Sequence, residues 1–180
     1  MNNKKVREII SFYKQNFKAI SNQEIYKWRA VRQFQDNWDI TTLEFSSMLE
    51  KSFARTSNLL DSGSYFPRRM LFESAKKEPE KVRQLFKNLY NEEDNLFERI
   101  ESFQEGIETI VEKNYPDRKS YQDERAVMVY LCLQYPEIYY LYKFNMFKDF
   151  VNQVDFPYLP KKSKEKKSKG AKCFRISFTL

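Results

Sequence analysis

Tyr65, Phe66, Arg68 and Arg69 are the residues of this chain best suited by type and spacing to bind something. They follow a glycine, Gly63, and flank Pro67 at the start of a helical pattern. Amides at a helix N-terminus point outward and favour an anion such as a phosphate. Two adjacent arginines on a helix cannot both face a core, so at least one faces solvent. Guanidiniums and rings together suit phosphate and base contacts. A helix cap carrying surface charge accounts for the same residues equally well.

Two further groups compete with ordinary packing. Trp28, Arg29, Arg32, Trp38 and Arg55 alternate aromatics with guanidiniums, as a stacking and phosphate-binding surface would. Their spacing favours a simpler reading, with both tryptophans in the core and the arginines reaching water. Tyr130, Tyr135, Tyr139, Tyr140 and Tyr142 form the densest tyrosine group, near Lys143 and Lys148. Phenols suit an interface or a base pocket, but an aromatic core is the preferred account.

The rest of the composition narrows the chemistry. There is no histidine, which removes histidine bases, Ser-His and Cys-His nucleophiles and most zinc or iron sites. Two cysteines are too few for a disulfide framework. Carboxylate pairs such as Glu92/Glu93 and Asp123/Glu124 read as helix-start charges. No phosphate-loop or nuclease signature is present. No enzymatic activity, cofactor, metal or small-molecule substrate is therefore expected. No run is apolar enough to span a membrane, and the first residues lack a signal-peptide core. No membrane partner is expected, and the expected location is the cytoplasm.

Three glycines and six prolines leave few tight turns, which favours long helices. The expected fold is all-α: one domain of seven to nine helices over residues 1–154, then a flexible basic tail over residues 155–180. The tail holds eight Lys/Arg against two acidic residues, and the rest 24 against 23. Nucleic-acid binding by the nearly neutral body would need a local patch.

The elements that must position the candidates follow from periodicity. Val6, Ile9, Ile10, Tyr13, Phe17 and Ile20 predict a helix over residues 4–20. Ser21 and Asn22 separate it from a second, with Ile25, Trp28, Val31, Phe34 and Trp38 near one face. Thr41 and Glu44 have capping-box spacing and open a third, with Phe45, Met48, Leu49, Phe53 and Leu60 inward. Gly63 stops it, and Pro67 starts the next, with Met70, Leu71 and Ala75 inside. Pro79 starts a fifth, residues 91–94 cap a sixth, and Ser120 and Asp123 cap a seventh. Residues 126–133 are apolar nearly all round, which suits a buried helix, with a short strand as competitor. Residues 138–150 predict an aromatic last helix. Residues 161–172 read as a charged linker. Residues 173–180 alternate as a strand would, the first strand of a missing domain or the remnant of a truncation.

Three stretches, YKWRAVRQFQDNWD (26–39), NLLDSGSYFPRRML (58–71) and SYQDERAVMVYLCLQYPEIYYLYKFNMFKDF (120–150), together resemble the N-terminal module that precedes the AAA+ motor in ATPases of McrBC-type restriction systems. The resemblance covers about residues 5–155. It implies a non-catalytic DNA-targeting domain, in several lineages reading a modified base, with restriction-system subunits as partners. Reading such a base commonly draws it out of the stack. It makes Trp28, Trp38, Tyr65, Tyr139, Tyr140 and Tyr142 candidate pocket residues, and Arg29, Arg32, Arg68 and Arg69 candidate phosphate contacts; Lys143, near the tyrosine group, is a further candidate phosphate contact from its residue type, with a solvated surface charge as the alternative. The chain ends where the motor would begin, so nucleotide hydrolysis and ring assembly are not expected of it. A helical protein-interaction module is the alternative, suited by the near-neutral body and the tyrosine-rich last helix.

Overall fold

The computed structural model describes residues 1–141 and 143–157. Among them the chain is all-helical, with nine helices gathered into one domain. The predicted linker at 161–172 and strand at 173–180 lie outside the described residues, as does Tyr142.

Helix α1 (Asn3–Gln15) opens on Asn2, whose side chain accepts from the Lys5 amide. It ends at Asn16, whose Nδ2 donates to the Phe12 carbonyl at 2.9 Å. The first break therefore falls at Asn16, not at Ser21 and Asn22, which continue α2 (Phe17–Gln35). Asparagine satisfies a late carbonyl with its own side chain and so competes with the helix locally. Nothing on α1 is buried, whereas α2 buries Ala30 and Phe34.

The expected capping box before α3 (Phe45–Ser52) does not form. Thr41 turns back instead, its amide and hydroxyl both donating to Asp39 at 2.9 and 2.6 Å. Phe45, Met48, Leu49 and Phe53 still face inward, as does Leu60 on the short α4 (Ser57–Leu60). Gly63 then takes a φ of 53°, a left-handed backbone that a side chain resists. Ser62 and Tyr65 exchange backbone hydrogen bonds across this turn.

Prolines occupy the first turns of α5 (Pro67–Lys77) and α6 (Pro79–Leu89), where no amide partner is missed. The cap of α7 (Leu96–Asn114) is Asn95, one residue beyond the predicted acidic run. Gly106 on α7 faces Leu85 of α6 so closely that a Cβ would meet its methyl at 2.4 Å. Residues 126–133 are helical, inside α8 (Glu124–Gln134), capped by Asp123. The final helix is shorter than predicted: α9 (Phe144–Gln153) begins six residues late. Residues 135–141 form a non-helical strap, because Tyr139 is pulled inward.

The core is aromatic. Phe34, Phe53, Phe86, Phe103 and Tyr130 are fully buried. Their rings meet mostly edge-on or tilted at 5.0–6.2 Å, geometry that adds about 0.5–1.5 kcal/mol per pair beyond burial.

Candidate nucleic-acid interface

Two segments far apart in sequence meet to form a cleft of about 610 Å³. One wall is the Gly63 turn with the first turn of α5, giving Ser64, Phe66, Arg69 and Met70. The other is the α7–α8 loop, giving Asp117, Arg118, Lys119 and Tyr121. Three cationic side chains thus face one carboxylate, with two aromatic rings between the walls.

The walls are tied by side chains rather than by regular structure. Gln122 is buried and donates to the carbonyls of Pro67 at 2.8 Å and Ser120 at 2.9 Å. Its Oε1 accepts from the buried Tyr130 hydroxyl at 2.7 Å. Ser120 donates to Glu108 on α7. Tyr65 donates to Asp123 at 2.5 Å, and Arg125 lies over the Tyr65 ring at 5.0 Å. Burial and the Asp123 carboxylate push the Tyr65 phenol well above its ordinary range, so it stays a neutral donor. Tyr121 is held at a φ of 57°, edge-on to Tyr65 and Phe66 at 6.0 and 6.1 Å. A non-glycine residue in that region is strained, and such strain often collects at ligand sites.

The two adjacent arginines divide their roles. Arg68 turns inward: its Nε donates to Asp61 at 2.7 Å and its guanidinium covers Phe72 at 5.5 Å. Arg69 is exposed, enters no ion pair among the described residues, and lines the cleft. Of this adjacent pair, only Arg69 faces the cleft as a candidate phosphate contact.

The remaining candidates do not converge on one pocket. Trp38 stacks on Phe34 at 4.8 Å and meets Phe45, Phe53, Phe86 and Tyr90, so it packs half-buried against the core, on the inward side expected of it. Trp28 is not in the core but 62% exposed. It stands two residues from buried Ala30, and 200° of helix rotation places it on the far face. Arg29 and Arg32 are exposed beside it, Arg32 pairing loosely with Asp36 at 3.5 Å. Tyr139 is buried, its hydroxyl held by Arg99 at 3.0 Å and Glu92 at 2.8 Å. Tyr140, one residue on, is exposed. Lys143 is exposed at the N-terminus of α9; burial, and after it the Lys143 charge, lowers the pKa of nearby Lys27.

Sequence reasoning missed Arg118, Lys119 and Tyr121. Their signal was the DRK run after Pro116, adjacent to SYQDE, which reads as an ordinary loop until the Gly63 turn is set against it. Among the described residues no acidic or cysteine cluster is placed to hold a metal ion, and no helix is long and apolar enough to cross a membrane. Searches against protein-family models, curated proteins and solved structures return no match.

Proposed function

We propose that this chain is a non-catalytic DNA-binding specificity module of a restriction or phage-defence system, with the Arg69–Tyr121 cleft as its point of contact. One observation carries the reading: Arg69, Arg118 and Lys119 ring an aromatic cleft whose walls are tied by buried hydrogen bonds. Cations suit a phosphate, and Phe66 and Tyr121 suit an unstacked base. The resemblance to McrBC-type targeting modules supports the same assignment, because two of its three stretches supply the tie between the cleft walls. It adds a modified base as the feature read and restriction subunits as partners.

Fluorescence anisotropy with duplexes containing plain or modified cytosine tests the reading. Salt-sensitive binding is expected, and Arg69→Glu with Arg118→Glu weakens it by about tenfold or more. Absence of binding to every duplex at micromolar protein, or binding indifferent to the double substitution, refutes it. A protein-interaction module is the second reading, favoured by α1, which buries nothing yet carries Ile10, Phe12 and Tyr13 in the open. Light scattering that finds a strict monomer binding only DNA removes it.

A further inference from the structure

The solvent face of α2 carries a stripe the core does not explain. Phe17, Ser21, Ile25, Trp28 and Arg32 follow one another at helical spacings of four, four, three and four. Phe17, Ile25 and Trp28 are exposed, and Tyr13 of α1 meets Phe17 edge-on at 5.8 Å. Lys18 and Arg29 flank the stripe on the same side, exposed and in no ion pair among the described residues. The two N-terminal helices are basic as well: residues 1–29 hold seven Lys/Arg against two Glu, with Lys5 paired to Asp155 and Lys27 to Glu24, while residues 30–154 hold 17 against 21 acidic residues. Beside the stripe itself Arg32 pairs loosely with Asp36, and Glu24 lies one turn before Trp28.

That sign favours an acidic partner, and exposed rings restrict its kind. A closed duplex offers phosphates to the cations but keeps its bases stacked away from the rings. A second copy of the same face would set positive against positive. An unpaired strand meets both demands, because its bases stack on aromatic side chains while its phosphates follow the cations. We infer that the Phe17–Trp28 ridge binds single-stranded nucleic acid, as a site sharing no residue with the Arg69–Tyr121 cleft. It goes beyond the proposed duplex contact and does not depend on it.

Tryptophan emission reads the ridge through Trp28, since the chain has two tryptophans and Trp38 is half-buried, stacked on Phe34 against the core and away from the ridge. A thymidine oligonucleotide is expected to quench the native protein's emission, and Trp28→Phe removes that quench. Lys18→Glu with Arg29→Glu weakens the affinity by about tenfold or more, and the log–log salt slope is about −0.7 per phosphate contacted. These exposed positions leave the fold intact, which a thermal melt of each variant confirms. Quenching that survives Trp28→Phe, equal quenching by a duplex of the same length, or no quenching at all overturns the inference. So does a blue shift seen only with phosphatidylserine vesicles, which assigns the ridge to lipid. Arg69→Glu with Arg118→Glu separates the two sites: it weakens duplex binding by about tenfold or more and leaves the Trp28 quench unchanged. Failure of the ridge leaves duplex anisotropy as it was.

Discussion

Arg68 and Arg69 are neighbours in the chain with opposite fates, and the difference is measurable. Arg68 neutralises Asp61, whose other carboxylate oxygen is buried without a partner among the described residues. Arg68→Ala leaves that carboxylate half-buried and unpaired, so a loss of about 2–3 kcal/mol is expected in chemical denaturation. Arg69→Ala touches no buried group, so its effect on stability stays within about 0.5 kcal/mol while DNA affinity falls. Equal destabilisation by both would mean that Arg69 is structural too. The pair RR in the sequence says that one guanidinium must face out. Which one does so depends on where Asp61 lands.

At the scale of elements, caps and turns decide where helices end. Gly63 holds a left-handed φ with open space around its Cα, so Gly63→Ala strains the backbone without a clash. A loss of about 1 kcal/mol is expected, read as a lower thermal midpoint. Because Tyr65 and Phe66 follow this turn, the same change should also weaken duplex binding. Unchanged anisotropy would separate the turn from the cleft. Helix starts marked by Pro67, Pro79 and Asp123 were legible in the chain, since each residue acts on its own backbone. The breaks at Asn16 and before Phe144 were not. Asn16 bonds back to a carbonyl that periodicity cannot weigh, and Tyr139 is drawn out of a helix by Arg99 and Glu92, some 40 residues away.

For the whole molecule, Glu78 is the joint whose titration is visible. It sits between α5 and α6 and accepts from Lys113 at 2.9 Å and Asn114 at 3.2 Å at the end of α7, while pairing with Lys81. Those bonds to Lys113 and Lys81 hold its carboxyl at about 2, below the ordinary 4.5. A carboxylate depressed on folding stabilises the protein above its unfolded pKa. That contribution is lost as pH falls from about 4.5 through about 2. Glu78→Gln should therefore flatten the acid limb of the stability curve in that window and leave its neutral and alkaline parts parallel to the parent. An acid limb of unchanged slope would show that Glu78 does not link the helices.

Helical class, the inward residues of α3 and α5, the burial of residues 126–133 and the glycine turn all followed from the chain alone, because periodicity, proline and glycine act within a few residues. The cleft, the outward Trp28 and the inward Tyr139 followed only from tertiary structure. Gln122 joins the Gly63 turn to a loop more than 50 residues away, and burial of Ala30 and Phe34 rotates Trp28 into water. Long-range hydrogen bonds and the choice of a buried face are set by what packs against a helix, and no local spacing encodes that.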